Sequence, residues 1–271
     1  MSDLVADVRG VGPPVVLLHG QPGSRHDWHL VADRLAEEFL VIVPDRPGYG
    51  DTGGRARGFR GNAGALASLL DRLDVPRATI VGHSWAGGVA LALAESAAPR
   101  LTGLVLVSSV APDEPLGRLD RLLAVPSIGV SLTLFGSLLA TGAVALPPIR
   151  QRLLRDQEDK VASGLALDLL VASLRHDHIR QSFLTEQQCL VTELPSLAGV
   201  LPSISVPTRV LVGSHDRTVP PASGRRLARA IPGAALVELA GAGHLLAYER
   251  PAAVAAAIRA VAAPPPGRDN D

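Results

Sequence analysis

Three residues that together could carry out nucleophilic catalysis each follow an apolar, strand-like run of this 271-residue chain. Ser84 lies in VGHSWAGG, Asp216 in VLVGSHDRTVP, and His244 in the glycine-rich AGAGH. A serine hydroxyl is a weak nucleophile at neutral pH, so it needs a base, and the base needs an acid that orients it. The sequence therefore predicts Ser84 as nucleophile, His244 as general base and Asp216 as the orienting acid.

Small residues surround the serine and allow a tight turn from a strand into a helix. They are Gly82, Ala86, Gly87 and Gly88. Such a turn exposes the Ser84 hydroxyl at the carboxyl edge of a sheet, where open α/β sheets bind ligands. The usual pattern is Gly-x-Ser-x-Gly, and Ala86 stands here in the last position, which is a mild departure because alanine is also small. An inert serine in a glycine-rich turn is the simpler interpretation of this motif taken alone.

A second turn could supply hydrogen-bond donors for a reaction intermediate. The segment HGQPG at 19–23 follows the first buried apolar run. We predict that the backbone N–H groups of Gln21 and Trp85 form an oxyanion hole, since two such donors stabilise a tetrahedral oxyanion. A plain turn at Pro22 and Gly23 is the alternative.

Apolar runs alternate with helical patterns in both ends of the chain, which predicts parallel β-α-β units in a doubly wound sheet. The predicted strands are 14–19, 39–43, 78–82, 104–107, 208–213 and 235–239, and the predicted helices are 27–38, 62–73, 86–97, 222–230 and 251–261. The predicted organisation is a first core part at 1–111, a helical insertion at 112–206, a second core part at 207–262 and a disordered tail at 263–271.

Composition limits the partners and the compartment. The chain has 26 basic and 26 acidic residues and no basic run, so nucleic acid is not an expected partner. Cys189 is the only cysteine, which excludes an intrachain disulfide and fits a reducing compartment. Because the first ten residues lack an apolar signal segment, we expect a cytoplasmic location.

Taken together, five segments resemble the α/β-hydrolase superfamily, in its HGxPG-type branch of esterases, C–C hydrolases and cofactor-free haloperoxidases. These segments are HGQPG, DRPGYGDTG, VGHSWAGG, VLVGSHDRTVP and ELAGAGHLLAYERP, and the resemblance spans about 12–110 and 205–262. It implies an α/β-hydrolase fold with a helical cap at 112–206, the triad Ser84, Asp216 and His244, and the oxyanion donors Gln21 and Trp85. It also implies that no cofactor or metal is needed and that the loop at 45–50 is structural.

One rival for the acid remains open. Asp113 follows the fourth predicted strand, where some hydrolases place the acid, although the SHDRTVP context favours Asp216. The resemblance also argues against epoxide hydrolases and haloalkane dehalogenases, which use an aspartate where this chain has Ser84.

The predicted cap contains an uncharged stretch at 122–149, between Arg121 and Arg150. Prolines interrupt it, and it lies inside a chain whose two ends must form one sheet, so we do not expect a membrane span. Two short apolar helices lining the pocket are expected, which implies a small apolar substrate. A patch that touches a membrane or forms a homodimer through the cap is the alternative. His176 and His178, two apart on a helix, point to different faces and are not expected to bind zinc.

Three functions fit these residues. The first is hydrolysis of a carboxylic ester, lactone or related acyl bond. The second is hydrolysis of a C–C bond in a vinylogous diketone, although Leu245 and His83 depart from the residues usual in that group. The third is a non-hydrolytic tailoring or ligand-binding protein on the same scaffold, because fold does not fix function.

Overall fold

The apolar runs form the strands of one mostly parallel sheet in the computed structural model, which describes residues 3–115, 117–125, 128–129, 143, 146–153 and 176–262. Within these residues the sheet has seven strands in the order β1-β3-β2-β4-β5-β6-β7, and only the β1–β3 pair is antiparallel. The prediction of a doubly wound, mostly parallel α/β sheet is confirmed. The strands are β1 (Ala6–Arg9), β2 (Pro14–Leu18), β3 (Leu40–Pro44), β4 (Ala78–His83), β5 (Leu101–Val107), β6 (Thr208–Gly213) and β7 (Ala235–Leu239).

Helices cover both faces of this sheet, and each face has its own apolar core. Leu66 of α2 and Val89 of α3 belong to one core, whereas Leu35 of α1 and Ile258 of α9 belong to the other. The described helices are α1 (His29–Leu35), α2 (Phe59–Arg72), α3 (Ala86–Ala97), α4 (Arg118–Leu123), α5 (Pro147–Leu153), α6 (Asp177–Thr192), α7 (Pro221–Ala230), α8 (Leu246–Glu249) and α9 (Pro251–Ala262), with 3₁₀ turns at Arg25–Trp28, Ala98–Arg100 and Leu194–Ser203.

The sequence analysis missed strand β1 and shortened two elements. Strand β1 has the sequence ADVR and is partly exposed, so it lacks the buried apolar run that marks the other strands. It is an edge strand held by pairing with β3, for example Val8 opposite Ile42. Helix α2 begins at Phe59 rather than 62, and β5 begins at Leu101 rather than 104.

The segment between β5 and β6, residues 108–207, is here called the intervening segment. Its described residues include helices α4, α5 and α6. Most of the uncharged stretch 122–149 and the whole predicted tail 263–271 lie outside the described residues. Among the helices that are described, none is both long and apolar enough to cross a membrane.

Helix α6 is the part of the intervening segment that the structure ties closely to the sheet. The Ser182 hydroxyl donates to the Gly48 carbonyl at 2.9 Å, within the loop that follows β3. Cys189 of α6 is buried in an apolar core, as predicted, and burial raises the pKa of its thiol to about 12.

The strand order reverses between β2 and β4, which lie side by side although β3 separates them in sequence. At such a switch point the loops at the carboxyl ends of the strands diverge and leave a crevice where α/β proteins bind ligands. The HGQPG loop follows β2 and Ser84 follows β4, so both border this crevice.

Candidate active site

Ser84 occupies a strained turn between β4 and α3. Its φ of +55° is unusual for a residue with a side chain, and its N–H is fixed by the Val107 carbonyl at 2.9 Å. A Cβ at Gly82 would lie 2.6 Å from the Ala86 carbonyl, and one at Gly87 would overlap the Ser109 side chain. The small residues are therefore required by close backbone packing, and Ala86 fits in its place fully buried.

The three residues singled out in the sequence come together in one chain of hydrogen bonds. His244 Nε2 lies 3.0 Å from the Ser84 Oγ, and His244 Nδ1 lies 2.7 Å from Asp216 Oδ2. The other carboxylate oxygen of Asp216 accepts the backbone N–H groups of Thr218 at 2.8 Å and Val219 at 2.9 Å. Because Asp216 accepts hydrogen bonds at both oxygens, its carboxylate is fixed in orientation and can hold the His244 ring by its Nδ1–H.

The rival acid lies elsewhere. Asp113 is exposed, and its carboxylate pairs with Arg226 Nε at 3.0 Å. Asp216 is therefore the carboxylate that contacts His244.

A second histidine, His83, is hydrogen bonded to the backbone of His244. His83, directly before Ser84, lies 3.0 Å by its Nε2 from the His244 carbonyl, and the two rings are 5.0 Å apart. Burial and the nearby His244 lower the pKa of His83 to about 3, so His83 is neutral and its Nε2–H donates to that carbonyl.

A buried carboxylate clamps the loop that carries His244. Glu249 accepts the N–H of Gly243 at 2.5 Å with one oxygen and the N–H of Leu245 at 3.1 Å with the other. These peptide groups flank His244 on both sides. Sequence analysis did not assign Glu249 a role, although it stands in the quoted segment ELAGAGHLLAYERP, five residues after the histidine.

We expect Glu249→Gln to lower kcat/KM for an ester substrate by about 10²-fold, because an amide cannot accept both N–H groups and His244 shifts from Ser84. We also expect the free energy of unfolding to fall by about 2 kcal/mol, since a hydrogen bond to a charged group is lost. Kinetics and chemical denaturation measure the two effects. Glu238→Gln is the matched control. Glu238 lies on β7 and forms a partly exposed ion pair with Arg225 of α7, so this substitution should change both quantities little. Equal effects of the two variants would show that Glu249 does not hold the loop.

The HGQPG loop lies directly against the serine. A Cβ at Gly20 would lie only 3.1 Å from Ser84 Cβ, so the backbone of this loop approaches the serine closely. In the part of the chain that the structure describes, the backbone N–H groups of Gln21 and Trp85 have no protein acceptor. Both are thus free to donate to a bound group near Ser84.

Asp45 joins the loop after β3 to the 3₁₀ turn that precedes α1. The buried Asp45 carboxylate accepts the N–H groups of Arg25 at 2.7 Å and Asp51 at 2.9 Å. Arg46, in contrast, is not merely structural to the loop: its guanidinium donates to the carbonyls of His19 and Gly20 in the HGQPG segment, at 2.8 Å and 2.7 Å. The sequence analysis missed this contact.

A carboxyl group beside the site makes stability depend on pH. Burial raises the pKa of Asp27 from 3.8 to about 6, although the Ser24 N–H and the Tyr248 hydroxyl, which both donate to it, act in the opposite direction. A carboxyl with the higher pKa in the folded state stabilises that state below pH 4 and loses this contribution as pH rises through 6.

We therefore expect Asp27→Asn to remove a loss of stability that the wild type shows between pH 4 and pH 7. The asparagine oxygen still accepts the Ser24 N–H, and the asparagine NH₂ group donates to the Tyr248 oxygen, which reverses the second hydrogen bond. The full shift corresponds to about 3 kcal/mol, and since solvent reaches part of the side chain we expect about 1–2 kcal/mol. Urea denaturation of both proteins at pH 4, 5.5 and 7 measures it. Parallel curves for the two proteins would contradict the assignment.

Among the described residues, no three His, Cys, Asp or Glu side chains are placed to hold a metal ion. His176 and His178 lie exposed at the start of α6 with ring centres 5.6 Å apart.

Comparison with known proteins shows the family to which this chain belongs. Residues 15–257 match the model of the alpha/beta hydrolase family. The magnesium-chelatase 30 kDa subunit of Rhodobacter capsulatus is 31% identical over 87% of this chain and 81% of its own. A thermophilic esterase from Thermogutta terrifontis is 28% identical with a TM-score of 0.76, covering 95% of this chain and 92% of its own. An enol-lactonase from Burkholderia xenovorans LB400 shares the fold, at 24% identity and a TM-score of 0.76 over 95% of both chains. The chain belongs to the alpha/beta hydrolase family.

Proposed function

We propose that this protein is a serine hydrolase that cleaves a carboxylic ester, lactone or related acyl bond of a largely apolar small molecule. The observation that carries the proposal is the hydrogen-bonded chain from Asp216 through His244 to Ser84 at the switch point of the sheet. The likeness to an esterase at 28% identity supports it.

The reaction follows from this geometry. His244 Nε2 takes the Ser84 proton as the oxygen attacks the acyl carbon, and Asp216 stabilises the imidazolium that forms. The N–H groups of Gln21 and Trp85 donate to the oxyanion of the tetrahedral intermediate. His244 then passes the proton to the leaving alcohol, and in the second half it activates water, which releases the acid from the acyl-enzyme.

The proposal of an apolar substrate rests on the intervening segment, which we propose to act as a cap. Its described residues expose several large apolar side chains, each at least 38% accessible: Leu122, Val125, Ile128, Leu146 and Ile149. Burying an alkyl chain against such side chains is favourable by about 0.8 kcal/mol per CH₂ group.

The test is hydrolysis of p-nitrophenyl esters from acetate to octanoate, together with a set of simple lactones. We expect a burst of about one nitrophenolate per enzyme molecule and a kcat/KM that rises with acyl chain length. Turnover only of a vinylogous diketone would favour the C–C hydrolase instead. Tight binding of esters without a burst would favour the non-hydrolytic protein and contradict the proposal.

A further inference from the structure

A buried ion pair joins the HGQPG loop to the intervening segment. Arg46 follows β3, and its guanidinium contacts both carboxylate oxygens of Glu186 on α6, the second at 3.3 Å. The Tyr49 hydroxyl also donates to Glu186, at 2.8 Å, and all three side chains are almost completely buried. Burial raises the pKa of Glu186, while Arg46 and Tyr49 act against that rise. We call Arg46, Tyr49 and Glu186 the Arg46 cluster.

Arg46 is hydrogen bonded to the Gly20–Gln21 peptide group, whose N–H is one of the two predicted oxyanion donors. The Gly20 carbonyl accepts from Arg46 Nη2 at 2.7 Å and lies 2.9 Å from His19 Nδ1. Since His19 Nε2 accepts the Arg46 N–H, its Nδ1 carries the proton and is the second donor. The Gly20 carbonyl and the Gln21 N–H are the two ends of one trans peptide, so they point in opposite directions. Two donors at the carbonyl end, one of them charged, fix the direction of the N–H and strengthen its partial positive charge.

Helix α6 touches the other predicted donor as well. The Glu186 carbonyl accepts the indole N–H of Trp85 at 3.1 Å, and the guanidinium carbon of Arg46 lies 4.7 Å from the centre of the Trp85 ring. The neighbouring Gln187 accepts from the Gln21 side chain at 2.5 Å. Two successive residues of α6 thus contact the two residues whose N–H groups would form the oxyanion hole.

We propose that Arg46 is a positioning residue that orients and polarises the Gln21 N–H, and that Glu186 holds it there, so that the oxyanion hole is complete only when α6 is seated on the loop. The burial of the Arg46–Glu186 pair favours a positioning role over a role in stabilising the fold. A buried ion pair is weak evidence for stability, because its desolvation cost can exceed the attraction between the charges. Here the hydrogen-bonding capacity of the guanidinium that Glu186 does not use is directed at the HGQPG backbone.

This inference rests on the proposed function and needs a readout that reports the oxyanion hole alone. We compare an ester with its thiono analogue, in which sulfur replaces the carbonyl oxygen and accepts hydrogen bonds poorly. The ratio of the two kcat/KM values measures how much the hole contributes. The variant is Arg46→Met/Glu186→Met, which removes both charges and leaves neither unpaired. The control is Ser182→Ala, which removes another contact of α6, with Gly48 in the loop after β3, without touching the donor peptides.

For the double variant we expect kcat on the oxygen ester to fall by about 10–100-fold, with a smaller change in KM, and the oxygen-to-sulfur ratio to fall with it. Ser182→Ala should keep the wild-type ratio. If the double variant does not fold, Arg46→Lys keeps the charge but presents fewer donors, and the same ratio should fall by a smaller factor.

Each outcome tests either the proposed function or the role of Arg46. No turnover of either ester by the wild type overturns the proposed function and this inference with it. Wild-type turnover with an unchanged ratio in the folded double variant, or in Arg46→Lys, overturns the inference alone. An equal fall of both rates would show that the Arg46 cluster serves only the fold.

Discussion

Ser84→Ala is expected to lower kcat for ester hydrolysis by on the order of 10⁶-fold, the scale seen when a serine nucleophile is removed from a complete triad. The hydroxyl oxygen is the atom that forms the acyl-enzyme, and no other hydroxyl in the described residues is hydrogen bonded to His244. The substitution removes one atom and keeps an L-residue at φ +55°, so the backbone strain of the turn is retained. We therefore expect nearly unchanged thermal unfolding alongside the loss of activity.

Ser109 supplies the matched control for this variant. It is buried against Gly87, and its hydroxyl donates to the Val110 carbonyl rather than to His244. Ser109→Ala should retain hydrolysis within about tenfold and lose about 1 kcal/mol of stability. Activity in Ser84→Ala above one part in a thousand would mean that another group attacks the substrate.

Asp216→Asn is expected to lower kcat by about 10⁴-fold, because the hydrogen bonds of Asp216 would force His244 into the wrong tautomer. Asp216 Oδ1 accepts two backbone N–H groups, from Thr218 and Val219, so the oxygen of an asparagine must stay on that side. Its NH₂ group then faces His244 Nδ1. The histidine must present its Nδ1 lone pair to this donor, which puts the ring proton on Nε2, toward Ser84. In that tautomer His244 cannot accept the serine proton.

The pH profile tests this explanation. Because the variant lacks a usable base, its remaining activity should keep rising with hydroxide concentration over the alkaline range in which the wild-type activity is level. Asp113→Asn is the matched control, since Asp113 is exposed and pairs with Arg226 instead of with His244, and we expect less than a twofold change. A large loss in Asp113→Asn together with a small loss in Asp216→Asn would reverse the assignment of the acid.

The sequence predicted most of the sheet because parallel strands are buried on both faces. Runs such as 14–19 and 78–82 are largely apolar, so they are easily recognised in the sequence, and their carboxyl ends must meet at one edge of a parallel sheet. That rule predicted that Ser84, Asp216 and His244 lie at the same edge, although it left Asp113 as a rival acid, and the structure joins the three by hydrogen bonds. Strand β1 was not predicted, because an edge strand is largely exposed and therefore has no continuous apolar run.

The supporting residues of the candidate site could not be predicted in this way. Arg46 and Glu186 are 140 positions apart, and nothing local to either predicts that the two will meet. Helix α6 has an ordinary amphipathic pattern, in which a buried glutamate looks like a surface residue until the chain is folded. Glu249 was visible in a quoted motif, yet its use of two oxygens for two N–H groups depends on a loop conformation that spacing does not reveal.

The central claim is that Ser84 is an activated nucleophile, and one measurement tests it most directly. Intact-mass spectrometry of the wild type after exposure to a fluorophosphonate probe should show a single adduct, with fluoride as leaving group, and Ser84→Ala should show none. Asp216→Asn should form the same adduct far more slowly. A folded wild type that stays unmodified, or an adduct that persists in Ser84→Ala, would contradict the account.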